Sequence, residues 1–190
     1  ILVSGSIFPW AAKLLGLKDV SELLDLAQTV DSTQGACLVP AHVGLGAPHW
    51  VPEARGVISG LSFVTEPAHL ARAAAESLAQ QVSDIFDVVN SSGRTPGQLS
   101  VDGGPIENRF LMQLVADLLA HPVTPCRNSE TSAIGAAFLA GLATGFWPDL
   151  SSLRTLVLRD ATITSKMSET TRNGLRKNWQ QAIVRTTLSL

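Results

Sequence analysis

The apolar positions change their period along the chain, and each change marks an element. The spacing predicts a helix over Pro9–Leu15 and another over Val20–Gln28, with Leu23, Leu24 and Leu26 apolar and Ser21 placed to cap it. A continuous apolar run, "GACLVPA" from Gly35 to Ala41, reads as a short buried strand, and "GVISGLS" from Gly56 to Ser62 as a second. Between them "GLGAPHWVPEARG" carries two Pro and three Gly in thirteen residues, which excludes regular structure. Thr65 and Glu66 open a long helix whose stripe is Leu70, Ala74, Leu78, Val82, Ile85 and Val89.

The turn-rich "SSGRTPGQ" leads to a third strand, "LSV", and then to a glycine pair, Gly103 and Gly104. A helix is predicted over Ile106–Leu119, where apolar residues recur at three- and four-residue steps. An extended "HPVTPC" follows. Ser129 is placed to cap the next helix, in which Ala133, Ala137 and Gly141 stand four apart and allow a close helix contact. "GFWPDLSSL" leaves that helix. The tail, Ser168–Leu188, reads as an amphipathic helix with Trp179, Ile183 and Val184 inward. Strands alternating with helices, with no linker or repeat, argue one α/β layered domain over residues 1–190.

Composition narrows the function classes. A chain of 190 residues with 45% hydrophobic and 16% charged residues can bury a substantial core. Its net charge of -2 supplies no basic field, so neither nucleic acid nor an anionic membrane is an expected partner. Cys37 and Cys126 have neither metal-ligand spacing nor the density of a secreted scaffold, which predicts a reducing, cytoplasmic setting. The apolar start, "ILVSGSIFPWAAKLLG", lacks a basic lead and is broken by Gly5 and Pro9, so no signal peptide or membrane span is expected. The first residue is not Met, and the chain is expected to be part of a longer protein.

The common chemical motifs are missing. No GxxxxGK[ST] phosphate loop occurs, and "GLGAPHW" has His49 where a dinucleotide fingerprint needs its third glycine. His42, His49, His69 and His121 lack ligand spacing and read as surface or core histidines, so no metal site is predicted. No GxSxG or Cys–His signature marks a nucleophile. Asp31, Asp84, Asp87 and Asp117 read as solvated or capping carboxylates, and no acid–base pair is predicted.

"VDGGPIENRFLMQ", Val101 to Gln113, is the one stretch that local physics leaves open. A glycine pair at a strand-to-helix turn lets backbone approach a neighbour closely, and a helix start offers free N–H groups. The neighbour is either the chain itself, in a tight connection, or a nucleotide. In the second reading the Asn108 amide, one turn into the helix, reaches the same ligand with both a donor and an acceptor.

Longer motifs carry a resemblance. "LSVDGGPIENRFLMQLVADLL" and "PVTPCRNSETSAIGAAFLAGLATGFW" resemble the carboxy-terminal domain of the FGGY carbohydrate kinases. "GACLVPAHVGLGAPHWVPEARGVISGLS" is similar to that family's "PAFxGLxAPYWDPxARG" segment, and the likeness runs to the last helix. The resemblance implies a ribonuclease H-like, actin-like ATPase domain, a mixed sheet flanked by helices. It also implies the nucleotide-binding half of a kinase that transfers phosphoryl from ATP, with Mg2+, to a hydroxyl of a small sugar or polyol, such as glycerol or a pentulose. By position it assigns nucleotide contacts to Gly5, Gly104 and Asn108, with Gly103 beside them. No catalytic residue is expected here, because the family's base aspartate precedes this segment. The implied partners are an amino-terminal domain of the same protein and possible further copies in a homo-oligomer. Pro9 stands where family members carry a nucleotide-contacting glutamine, and His49 replaces a tyrosine. A non-catalytic actin-like module serving association or regulation is the alternative reading.

Overall fold

A computed structural model describes residues 1–93, 97–128 and 130–188. The helices are α1 (Ile7–Leu14), α2 (Val20–Gln28), α3 (Pro67–Ser91), α4 (Arg109–Leu119), α5 (Thr131–Ala143), α6 (Leu150–Arg154) and α7 (Glu169–Thr187). The strands are β1 (Cys37–Val39), β2 (Val57–Ser59), β3 (Leu99–Val101) and β4 (Val123–Pro125). They pair as an antiparallel ribbon, β1–β2, and a parallel pair, β3–β4, with Leu99 opposite Val123 and Val101 opposite Pro125.

α3 is the spine. Its 25 residues span roughly 37 Å at 1.5 Å per residue. A reciprocal cap starts it: the Glu66 side chain takes a backbone N–H of the first turn, and His69 Nδ1 accepts from the Glu66 N–H at 2.9 Å. Ala71, Ala73, Ala74, Ala75 and Ala79 are buried along it, and these short side chains let α2 and α4 lie close. The main core gathers there, with Ile7 and Phe8 from α1, Leu23 from α2 and Leu111, Leu114 and Val115 from α4. A smaller core sits under α7, where Trp179 and Ile183 meet Val39, Leu45 and Ala54.

Several boundaries differ from expectation, each for a local reason. α1 starts at Ile7, because a proline in the first helical turn has no N–H to lose. The strands are three residues long, cut short where Gly35 and Gly60 turn the chain with φ of 89° and 75°. Asp19, not Ser21, caps α2, accepting from the Glu22 N–H at 3.0 Å. α6 is an unanticipated short helix, started by Asp149 accepting from the Ser152 N–H at 2.8 Å. Val89 and Val184 are exposed, whereas Trp179 and Ile183 are buried as expected. Ser129, the expected cap of α5, lies outside the described residues, as does part of the turn before β3. Gly141 is met by the Trp147 ring from the turn that follows α5, so the small-residue seam does not receive a second helix there.

Two carboxylates read as solvated are buried hubs. Asp84 accepts from Trp179 Nε1 at 2.8 Å and from Arg176 at 2.7 Å, and pairs with His49 Nε2 at 2.9 Å. Asp117 Oδ1 accepts from the backbone of Lys166 and Met167 at 2.6 and 3.1 Å and thereby anchors the entry to α7. Burial of a carboxylate is tolerated only with such partners, and a helical pattern does not show partners that arrive from far along the chain.

Candidate functional site

The segment after β3 does not enter a helix directly. Gly104–Glu107 makes a 3-10 turn, and α4 begins at Arg109 with Asn108 as its N-cap. Asn108 Oδ1 accepts from the Leu111 N–H at 3.0 Å, a strongly preferred role for asparagine. This corrects the placement of Asn108 one turn into a helix. Its side-chain oxygen is committed to the cap. Its side-chain N–H2 has no hydrogen-bond acceptor among the described residues.

The two glycines are glycines for different reasons. Gly103 sits at φ 91°, a conformation that L side chains rarely adopt, so the backbone alone requires it. Gly104 has no such backbone demand, and a Cβ built there would meet nothing within 4 Å. The fold leaves open space at Gly104 and does not itself use it.

That space belongs to a cavity of about 520 Å3 between the start of α1, the start of α2 and the turn into α4. Gly5, Gly104 and Asn108 all line it; Gly103 lies beside it, outside the lining. A Cβ on Gly5 would sit 3.5 Å from the Pro105 ring, which shows how closely the two loops face each other. The inner wall is apolar, built by Phe8, Leu24 and Leu111, all nearly fully buried. Ser21, Glu107 and Asn108 supply the polar side chains.

Sequence reading missed Ser21 as a wall residue and Glu107 altogether. For Ser21 the signal was present but taken for a cap. Glu107 follows the glycine pair directly and could have been flagged by that position. The cavity has one apolar slot, few polar groups, and no pair of titratable residues to act as acid and base, a lining suited to binding and not to proton transfer. Among the described residues no cluster of three His, Cys, Asp or Glu is placed to hold a metal ion.

Elsewhere among the described residues lie further cavities, two of them of several hundred cubic ångströms. One, of about 370 Å3, lies between Trp10, His42 and Arg55, with the Trp10 and His42 rings edge-on at 4.4 Å. The other, about 330 Å3, runs beside α5 and is lined by Ile134, Phe138, Leu156 and Leu158. From Ala133 on α5 is apolar all round, yet none of its residues is buried. Leu139, Phe146 and Leu150 are each more than 60% exposed around it. No helix among the described residues is long and apolar enough to cross a membrane.

Comparison with known proteins gives this arrangement a context. Residues 1–144 match the family model described as FGGY family of carbohydrate kinases, C-terminal domain. The chain is 42% identical to a glycerol kinase of Shewanella frigidimarina over 185 residues, covering 96% of this chain and 37% of that protein. It is 43% identical to a glycerol kinase of Leifsonia xyli over 188 residues, covering 98% and 37%. Among solved structures, the glycerol kinase of Plasmodium falciparum with ADP superposes with a TM-score of 0.84 at 34% identity, over 98% of this chain and 37% of that one. The xylulose kinase of Rhodospirillum rubrum does so with 0.80 at 28%, over 95% and 38%. The chain thus spans a little over a third of the length of the relatives it matches. Its fold is that of the actin-like ATPases, as in those kinases. By sequence and by fold, the chain belongs to the FGGY family of carbohydrate kinases and corresponds to the family's C-terminal domain.

Proposed function

We propose that this chain is the nucleotide-binding half of an ATP-dependent kinase that phosphorylates a hydroxyl of a small sugar or polyol. One observation carries the reading. Gly5, Gly104 and Asn108, from loops about a hundred positions apart in sequence, converge on a single cavity that the fold itself leaves empty at Gly104. An apolar slot of this size suits a purine, and the free Asn108 amide suits an acceptor on its edge. That a relative of this length of match was solved with ADP supports the same assignment.

Phosphoryl transfer depends on positioning and on neutralising charge at the phosphates. This chain's share is to hold and orient the nucleoside. Mg2+, when bound, would neutralise phosphate charge, held mainly through the phosphates and, in this proposal, by polypeptide outside this chain. The acceptor hydroxyl is deprotonated and positioned there too. α5 is the natural seat for that polypeptide, since a helix so largely apolar is ordinarily interior. Exposed apolar area of that kind marks an interface.

The test is calorimetric titration of ADP with Mg2+ into this chain and into the full-length protein. Saturable binding to the full-length protein, together with polyol-dependent ATP turnover, is expected. Turnover by this chain alone would contradict the proposal, as would a full-length protein that binds no nucleotide.

A further inference from the structure

Among the described residues Glu107 is the one carboxylate on the cavity wall, and none of them pairs with it. It ends the 3-10 turn, is exposed at the rim, and has no hydrogen-bond or ion-pair partner among the described residues. Its neighbour Asn108 faces the same space but gives its oxygen to the helix cap. The two residues therefore differ in what remains available: Asn108 offers donors, Glu107 only acceptors.

A carboxylate at this place constrains how a nucleotide can lie. It repels phosphate, so the phosphate chain points away from the 107 rim. The inner wall of Phe8, Leu24 and Leu111 is apolar and buried, which suits the faces of a base and not a polyhydroxyl ring. The sugar is left at the rim, where its hydroxyls need acceptors. Two vicinal hydroxyls match the two oxygens of one carboxylate, and acidic side chains read ribose hydroxyls in this way at dinucleotide sites of another fold.

Resting on the nucleotide reading above, we infer that Glu107 is a specificity-determining residue that accepts hydrogen bonds from the 2′ and 3′ hydroxyls of the bound nucleotide. It makes the site select ribonucleotides over deoxyribonucleotides.

The experiment measures binding of ATP and 2′-deoxy-ATP to the full-length protein, unaltered and as Glu107→Ala and Glu107→Gln. The unaltered protein should prefer ATP by about tenfold, the effect of one charge-assisted hydrogen bond. Glu107→Ala should bind the two equally, having lost more affinity for ATP than for 2′-deoxy-ATP, which keeps only the 3′ hydroxyl contact in the unaltered protein; retained binding of both reports an intact cavity. Glu107→Gln, similar in shape with one acceptor left, should keep part of the preference. An unaltered protein without preference, a preference unchanged in Glu107→Ala, or an equal loss of both nucleotides each overturns the inference and leaves the nucleotide reading standing. An unaltered protein that binds neither nucleotide overturns both.

Discussion

The indole N–H of Trp179 donates to Asp84 Oδ2 at 2.8 Å, joining α7 to α3 across 95 positions of sequence, with both residues buried. Arg176 adds a bond of 2.7 Å to the other oxygen of the same carboxylate, and also reaches Asp87 at 2.8 Å. His49 brings in the loop between β1 and β2. One carboxylate thus fastens three parts of the chain. Asp84→Ala should cost about 3 kcal/mol of stability, because it leaves the Trp179 indole N–H buried without its acceptor and takes from Arg176 its buried carboxylate, leaving it Asp87 and Gln80. Asp84→Asn should cost less, since one oxygen remains. Urea unfolding of both variants measures it; a loss below about 1 kcal/mol in Asp84→Ala would show that the hub is solvated and weak.

The cap and the ligand contact at Asn108 can be separated. Asn108→Ala should lower stability by about 1 kcal/mol through the lost cap. It should weaken nucleotide binding as well. Asn108→Asp keeps a capping oxygen, removes the amide donor and adds a negative charge, so it should restore the stability without restoring affinity. Thermal melts beside nucleotide titrations resolve the two effects. Full affinity in Asn108→Asp would move the base elsewhere in the cavity.

Burial pushes the Cys37 thiol up to about 12; the Glu76 carboxylate nearby pushes in the same direction and Arg185 opposes it. The folded-state value lies above the unfolded one of about 8.5, so the contribution is fully present below that pH. It is lost as pH rises toward 12. Glu76 is raised too, by burial, with Arg72 opposing, so its contribution is likewise lost as pH rises. Stability should therefore fall steadily on the alkaline side. Cys37→Ala should flatten the part of that fall above about pH 8.5. Iodoacetamide should label Cys37 slowly in the native protein and fast in urea. Rapid native labelling would contradict the buried, protonated thiol.

The architecture was largely legible because its signals are local. The limits of α2, the start of α3 at Glu66 and the final helix follow from caps and apolar spacing within a few residues. The long motifs carried the family. What escaped depends on partners remote in sequence: the burial of Asp84 and Asp117 is decided by Arg176, Trp179 and the backbone at Lys166, which no window around residues 84 or 117 contains. Asn108 failed differently. Periodicity carried the helix back to Ile106, whereas Gly104 and Pro105 tighten the backbone into a 3-10 turn first and leave the asparagine to begin the helix. At the site, Gly5, Gly104 and Asn108 came from the resemblance, and their meeting in one cavity is a matter of packing between α1, α2 and the turn. Ser21 and Glu107 were visible as letters but had no geometry to mark them.

The fastening at Asp84 also bears on how the protein is made. Its partners on α7 are among the last parts of this segment to leave the ribosome, long after α3 has emerged. Until then the carboxylate must stay hydrated, which keeps the small core beneath α7 open and the loop bearing His49 unfastened. The second core therefore closes only after α7 has been released, and a nascent chain cut short before Arg176 would offer that unfinished side to chaperones and proteases.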